Sequence, residues 1–373
     1  MPLQPRIARY SQFINEEYHC GFLKGNEYSS DEFSDDLARR ISEGEFSRIV
    51  FTGMGCSAIV SDIIRGYLKE QRSSFEVHVV NDYDWDSLLP GSVVHDAGTL
   101  FIVSSYSGFS REPLLALQRL LPRKDQVVVL TSGGDLGDLA REHGISILRW
   151  RLLNPDREYP LFHVTQYFAI LVDFFVKVGI LGPESLTEVL GLASAVRADF
   201  DATWTARARS LGRESRDANV VMVASPKYHE SLLKLCKMHL NEIAMVPATR
   251  NFIHEFCHSE VASLSNPERR HSVLVFVSSD DDPYTKEKAA NLAALLSAPR
   301  PENTNVAVRV VELGQPTFAR RFFCALHLVQ VLTLELGRYR NTRSRELISE
   351  AAGNTWYHQS TISAERLPVS AGS

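Results

Sequence analysis

The sequence lacks the features that mark secreted and membrane proteins. Its five cysteines are scattered, odd in number and without a C-x-x-C pair, so neither a disulfide framework nor a structural zinc site is expected. No run approaches the roughly 18 apolar residues of a membrane span. The first residues, MPLQPRIARYSQFINEEYHC, contain no apolar signal core. These absences predict a cytoplasmic protein without membrane contact.

The chain also lacks an excess of positive charge. Its formal net charge is -5, so composition gives no reason to expect a nucleic-acid partner. Hydrophobic residues make up 44% and charged residues 23% of the sequence, which is typical of a globular protein. A length of 373 residues is too large for one ordinary core and suits two domains.

Apolar, β-branched runs alternate with amphipathic stretches in both halves of the chain. The strands predicted in the first half are SRIVFTGMG (47–55), FEVHVVNDYDW (75–85), GTLFIVSSYSG (98–108), DQVVVLTSGG (125–134) and SILRW (146–150). Those predicted in the second half are DANVVMVAS (217–225), HSVLVFVSSDDDP (271–283) and NVAVRVVELG (305–314). Strands that alternate with helices predict parallel sheets with helices on both faces.

The two halves repeat one pattern. LFIVSSYSGFSREPLLALQRLL (100–121) matches VLVFVSSDDDPYTKEKAANLAALL (273–296) in its order of strand, Val-Ser-Ser, polar turn and helix. The boundaries predicted from this pattern are a helical segment at 1–45, a first domain at 46–185, a linker helix at 186–212, a second domain at 213–360 and a disordered tail at 361–373.

Glycines and hydroxyl residues follow three of the first-half strands. The turns are GMGCS (53–57), SSYSGFS (104–110) and TSGG (131–134). Backbone N–H groups at helix starts, together with hydroxyls, suit a phosphate group, and ligands of open α/β sheets lie at the carboxyl ends of strands. The matching second-half turn carries three aspartates, which repel anions, so only the first copy is predicted to hold a phosphate. The G-x-G pattern also suits a dinucleotide fold, but the serine turn has no role in binding a pyrophosphate.

The pentapeptide HEFCH (254–258) matches H-E-x-x-H, the zinc pattern of two histidines one helical turn apart. Glu260 and His271 are candidates for a third ligand, but their spacing is not diagnostic. Cys257 beside these histidines also has the composition of a nucleophile pair, although a buried, inert cysteine is the more common arrangement.

Six motifs, taken in order over about residues 45–345, resemble a known family. They are GMGCSAIV, VNDYDW, SYSGFSRE, TSGGDL, LNEIA and HEFCHSEV. Together they resemble the sugar isomerase (SIS) domain enzymes called bifunctional phosphoglucose/phosphomannose isomerases. The resemblance implies an α/β chain of two SIS domains, each a parallel sheet in a three-layer α/β/α arrangement, and a homodimer. It also implies interconversion of glucose 6-phosphate or mannose 6-phosphate with fructose 6-phosphate through a cis-enediolate, without a metal or cofactor.

The same resemblance implies roles for individual residues. The implied substrate- and phosphate-binding residues are Gly55, Ser57, Ser105, Ser107 and Ser110. The implied catalytic residues are Glu242 for proton transfer, His258 for ring opening from the partner subunit, and Arg157 facing the enediolate. A carboxylate with a raised pKa and an imidazole suit these two proton transfers.

The sequence departs from the family at several of these motifs. Cys56 replaces a glycine in the first turn, and Arg111 stands before Glu112 where the family has two acidic residues. The final stretch RSRELISEAAGNTWYH carries no lysine, although Arg340, Arg343 and Arg345 offer similar charge. A second hypothesis is therefore kept, in which the chain is a non-catalytic or regulatory SIS-type protein that binds a phosphosugar.

Overall fold

The structure, a computed structural model, describes residues 5–20, 26–152 and 160–339. These residues form two compact units. The N-terminal unit comprises the described residues of 20–191, and the C-terminal unit comprises residues 5–19 and 192–339.

The N-terminal unit contains a six-stranded sheet in the order β1-β6-β5-β4-β2-β3. Its strands are β1 (Asn26–Ser29), β2 (Arg48–Gly53), β3 (Glu76–Val80), β4 (Thr99–Ser104), β5 (Val127–Thr131) and β6 (Ser146–Leu152). The strands β2 to β6 confirm the five predicted from the sequence, and they pair in parallel. The short edge strand β1 was not predicted; it pairs antiparallel with β6.

Helices precede and follow these strands in the sequence. Those up to the end of the N-terminal unit are α2 (Asp35–Ser42), α3 (Gly55–Glu70), α4 (Trp85–Leu88), α5 (Gly91–Val94), α6 (Arg111–Leu120), α7 (Gly134–Glu142), α8 (Val164–Lys177) and α9 (Pro183–Asp199), which continues into the C-terminal unit. The first helix, α1 (Pro5–Cys20), lies almost entirely in the C-terminal unit.

The C-terminal unit contains a four-stranded parallel sheet in the order β10-β9-β7-β8. Its strands are β7 (Asn219–Ala224), β8 (Ala248–Phe252), β9 (His271–Ser278) and β10 (Val306–Leu313). Its further helices are α10 (Ala202–Glu214), α11 (Pro226–Tyr228), α12 (Lys234–Met238), α13 (Ile253–His258), α14 (Pro283–Ser297) and α15 (Phe318–Tyr339), with π-helical turns at His229–Leu233 and His239–Ile243. Strand β8 was missed because its sequence, ATRNF, is short and half polar.

Burial explains why the other strands were predictable. Strands β4 and β5 are buried along their whole length, as expected where helices cover both faces of a parallel sheet. The longest described helix, α15, has 22 residues, most of them buried. Within the described ranges, none of the helices combines the length and hydropathy that a bilayer crossing needs. The architecture is therefore α/β, with parallel strands flanked by helices, as predicted.

Candidate active site

Residues 105–110, here called the serine turn, connect β4 to α6. Ser105 is buried and Ser107 is exposed. The Oγ of Ser107 accepts a hydrogen bond from the N–H of Phe109 at 3.3 Å. Ser110 stands at the N-cap of α6 in an extended conformation, and its hydroxyl makes no capping bond. The Ser110 side chain therefore does not cap the first-turn N–H groups of α6. These N–H groups are donors to which an anion can bind.

Two glycines hold the serine turn against the turn that follows β5. Gly108 has a φ of +72°, and a Cβ placed on it would lie 1.9 Å from the carbonyl oxygen of Gly133. Gly134 has a φ of +65°, and its Cβ would lie 2.5 Å from the carbonyl oxygen of Ser107. Only glycine fits such a close approach of two backbones. The sequence marked TSGG as a donor turn, but it did not predict this supporting contact.

Backbone hydrogen bonds complete the contact between the two turns. The N–H of Ser105 donates to the carbonyl of Leu130 at 3.1 Å, and the N–H of Ser132 donates to the carbonyl of Tyr106 at 2.8 Å. The N–H of Leu136 donates to the carbonyl of Gly108 at 3.0 Å. The serine turn is thereby fixed before any ligand arrives, which lowers the entropy that binding must overcome.

The glycine turn between β2 and α3 lies beside the serine turn. Gly53 and Ser104 are paired residues at the ends of β2 and β4, and a Cβ on Gly53 would lie 2.7 Å from the carbonyl oxygen of Ser104. Gly55 is exposed, has a φ of +57° and faces open space. Ser57 is buried in the first turn of α3. The structure therefore brings the first two predicted turns together.

Three helices begin at this edge of the sheet. Helices α3, α6 and α7 start at Gly55, Arg111 and Gly134, after the neighbouring strands β2, β4 and β5. Each helix N-terminus carries partial positive charge and unpaired N–H groups. The first turn of α6 carries one side chain of each charge, Arg111 and Glu112. The arrangement favours a bound anion at the carboxyl ends of these strands.

Glu242 lies in the C-terminal unit, in the π-helical turn His239–Ile243. Its side chain is half-buried, and its neighbours Leu240, Ile243 and Ala244 are buried. Single π-helical turns occur often at functional sites. The sequence predicted a helix ending here but gave no signal for its π-helical geometry.

His239 occupies the same turn and is fully buried. Burial lowers the pKa of this imidazole to about 3, so His239 stays neutral near pH 7. It therefore does not serve as a cation beside Glu242.

The side chains of the HEFCH stretch diverge. His254 contacts α14, where its Nε2 lies 3.4 Å from the Thr285 Oγ1 and its ring stacks on Tyr284 with centroids 5.6 Å apart. Glu260 accepts a hydrogen bond from the Asn251 Nδ2 at 2.8 Å. His258 ends α13 with an exposed side chain. The residues singled out as zinc ligands therefore have different surroundings.

No group of three or more His, Cys, Asp or Glu side chains that could hold a metal is found among the residues that the structure describes. Cys257 is half-buried, and burial raises the pKa of its thiol, which disfavours the reactive thiolate. The HEFCH stretch thus matches the zinc pattern in sequence without forming a metal-binding group in the described part of the chain, and the raised thiol pKa does not suit Cys257 as a nucleophile.

Some predicted site residues cannot be placed. Arg157 and the arginines at 340, 343 and 345 lie outside the described residues. The described candidates form two groups, one in each unit. Gly55, Ser57 and the serine turn belong to the N-terminal unit, and Glu242 and His258 belong to the C-terminal unit.

Comparisons with known proteins agree with this architecture. A family model described as the bacterial phospho-glucose isomerase C-terminal SIS domain matches residues 205–345. The bifunctional phosphoglucose/phosphomannose isomerase of Thermoplasma acidophilum is 24% identical over 304 residues, which cover 82% of this chain and 87% of that protein. The protein of the same name from Caldicellulosiruptor bescii is 24% identical over 242 residues, covering 64% and 68%.

Solved structures show the same fold. Tagatose-6-phosphate ketose/aldose isomerase from Escherichia coli aligns with a TM-score of 0.61 at 18% identity, over 88% of this chain and 92% of that one. The C-terminal domain of glucosamine-fructose-6-phosphate aminotransferase from Francisella tularensis aligns with a TM-score of 0.58 at 15% identity, over 90% and 94%. At these identities the similarity establishes the fold alone.

Proposed function

We propose that this chain, whose residues 205–345 match a SIS-domain family model and which is similar to bifunctional phosphoglucose/phosphomannose isomerases, interconverts an aldose 6-phosphate with fructose 6-phosphate. The aldose is glucose 6-phosphate, mannose 6-phosphate or both. The observation that carries the proposal is the serine turn, which is fixed by Gly133 and Gly134 beside three helix N-termini. That arrangement suits a phosphate group, and the family relation supplies the isomerase chemistry.

The proposed chemistry assigns one step to each catalytic side chain. In its protonated form, His258 donates a proton to the ring oxygen as the bond between that oxygen and C1 breaks. The hydroxyl on C1 gives up its proton to solvent, so that C1 becomes the aldehyde carbon of the open-chain sugar. The carboxylate of Glu242 then removes the proton from C2 of the aldose, and a cis-enediolate forms with its negative charge on the oxygen of C1. The hydroxyl proton on the C2 oxygen passes to the C1 oxygen, and Glu242 returns its proton to C1, which leaves the ketone at C2. Arg157 is proposed to stabilise the negative oxygen of this intermediate.

We propose a homodimer in which His258 acts in the partner subunit's site. The exposure of His258 at the end of α13 supports this proposal, because a side chain that protonates a sugar ring works best in a site from which water is excluded. A second copy of the chain would provide that enclosure, and a twofold dimer would form two such sites.

Mixing two inactive variants tests this exchange of histidines. Glu242→Gln and His258→Asn are each expected to be inactive as homodimers. After subunit exchange, a mixed dimer contains one site with both Glu242 and His258, so the mixture is expected to regain about a quarter of the native activity. As the control, each variant alone is taken through the same subunit-exchange procedure. A folded, exchanged mixture that stays inactive would place His258 in its own subunit's site.

Removing one hydroxyl of the serine turn tests the phosphate assignment. Ser107→Ala is expected to weaken binding of glucose 6-phosphate about tenfold or more, since a hydrogen bond to a charged oxygen is lost. Isothermal titration calorimetry measures this affinity, and Ser42→Ala, an exposed serine of α2, is the matched control. If the unmodified protein bound glucose as tightly as glucose 6-phosphate, the site assignment would be wrong.

A non-catalytic phosphosugar-binding protein is the second candidate function. Arg111 favours it, because a cation in the first turn of α6 stabilises a bound phosphate without taking part in proton transfer. The two candidates differ in turnover. Purified protein that binds hexose 6-phosphates and never converts them would establish the binding role.

A further inference from the structure

The turn after β9, residues 279–282, is the counterpart of the serine turn in the C-terminal unit. It connects β9 to α14 as the serine turn connects β4 to α6. We call it the aspartate turn, since it contains Asp280, Asp281 and Asp282.

The three aspartates have separate partners. Asp282 caps α14, accepting hydrogen bonds from two first-turn N–H groups at 2.9 and 3.0 Å. The Oδ2 of Asp281 accepts from the N–H of Ser278 at 2.8 Å. Asp280 pairs with two cations, Lys227 and Arg321. Two of the carboxylates therefore stabilise the turn itself, and the third neutralises charge.

Arg321 is the buried part of this cluster, with only 3% of its side chain exposed. Its Nη2 donates to the Oδ2 of Asp280 at 2.9 Å, its Nε to the hydroxyl of Tyr228 at 3.1 Å, and its Nη1 to the carbonyl of Gln315 at 2.8 Å. A guanidinium at this depth requires an anion, because an uncompensated buried charge is strongly destabilising. Asp280 is that anion.

Two further groups donate hydrogen bonds to the carboxylate of Asp280. The Nζ of Lys227 and the hydroxyl of Ser278 both donate to Asp280. Nearby in the sheet, at the end of β7, Ser225 is only 6% exposed, and its hydroxyl has no hydrogen-bond partner among the described residues. A guanidinium, an ammonium and hydroxyls at adjacent strand ends are the donors that bind phosphate in proteins.

We propose that these groups form a second anion site, of the class that takes a phosphate group, and that Asp280 occupies it as an internal ligand. The site corresponds in the fold to the serine turn, but the protein supplies its own carboxylate in place of the phosphate. Lys227 and Arg321 are the binding cations, and the aspartate turn closes the site in the native chain. The inference does not depend on the proposed isomerase activity.

Replacing the internal ligand tests the inference. The variant Asp280→Ser is studied in a chain that also carries Ser107→Asp, which places a negative charge in the serine turn and blocks that site. Titration with inorganic phosphate is expected to show one site per chain, with an affinity at least about tenfold higher than in the chain that retains Asp280. A parallel titration with glucose 6-phosphate distinguishes a site for free phosphate from one that also admits a phosphosugar.

A charge-matched control separates this effect from a general loss of negative charge. Asp282→Asn removes the same charge two residues away and keeps a good helix cap, so it is expected to leave phosphate affinity unchanged. Adding Lys227→Met to the Asp280→Ser chain is expected to abolish the gain. An equal gain in both aspartate variants, or no gain in Asp280→Ser, would overturn the proposal.

Folding of the variant is a second readout. Arg321 loses its counter-ion in Asp280→Ser, so this chain is expected to melt at a lower temperature and to regain stability in phosphate. If it does not fold, Asp280→Asn keeps the side-chain shape and removes the charge. Phosphate is then expected to raise the melting temperature of Asp280→Asn more than that of Asp282→Asn, and equal shifts would contradict the proposal. Because the serine turn is blocked in every chain, the outcome does not depend on the proposed catalytic site.

Discussion

Glu242→Gln is expected to lower the rate of aldose–ketose conversion by about 10³-fold, within the range that general acid–base catalysis provides. Glutamine has nearly the same shape as glutamate but cannot accept the proton from C2. Because Glu242 is half-buried beside apolar neighbours, an isosteric change is expected to leave the fold intact. The loss should therefore appear in kcat, with little change in KM.

The measurement for this variant is steady-state kinetics with glucose 6-phosphate and mannose 6-phosphate, combined with calorimetric binding of the same sugars. Glu287→Gln is the matched control, since Glu287 is an exposed glutamate on α14. The control is expected to keep native kcat and KM. If folded Glu242→Gln retained more than about a tenth of the native kcat, Glu242 would not be the proton-transferring base.

Gly108→Ala is expected to disrupt the phosphate site. Its φ of +72° strains any residue with a side chain, and the new Cβ would lie 1.9 Å from the carbonyl oxygen of Gly133. Backbone atoms cannot move away without separating the serine turn from the turn after β5. We expect affinity for hexose 6-phosphates to fall about 100-fold or more and the free energy of unfolding to fall by about 2–4 kcal/mol.

Gly144→Ala is the control that separates the effect of a steric clash from the effect of backbone strain at a positive φ. Gly144 has a φ of +65°, close to that of Gly108, but a Cβ on it would contact nothing within 4 Å. This variant is expected to lose only about 1 kcal/mol of unfolding free energy through backbone strain and to keep native affinity. Chemical denaturation and calorimetry measure both quantities. Equal behaviour of the two variants would show that the contact with Gly133 does not maintain the site.

The sequence predicted the strands that are buried on both faces and missed the short polar ones. Strands such as β4 and β5 are continuous apolar runs, because helices cover them on two sides. Strand β8 has Arg250 and Asn251 in a five-residue stretch and pairs only with β7 among the described strands. Its strand conformation comes from pairing with β7, which local sequence does not record.

At the candidate site, the sequence predicted which turns carry donors but not how they are supported. Glycine and serine composition marked SSYSGFS and TSGG, whereas the contact of Gly108 with Gly133 depends on the pairing of β4 with β5. The aspartate turn was predicted to repel anions because it contains three aspartates. In the structure Asp280 is paired with Lys227 and Arg321, which come from distant positions in the chain, and Asp281 and Asp282 accept backbone hydrogen bonds.

The proposed activity is tested most directly by incubating purified protein with fructose 6-phosphate in deuterated water and following the products by NMR. Proton transfer through an enediolate by Glu242 predicts formation of glucose 6-phosphate or mannose 6-phosphate with deuterium at C2. The same experiment with Glu242→Gln should give no product. Fructose 6-phosphate that is bound but remains unchanged, with no deuterium at C1 and no aldose formed, would contradict the isomerase assignment.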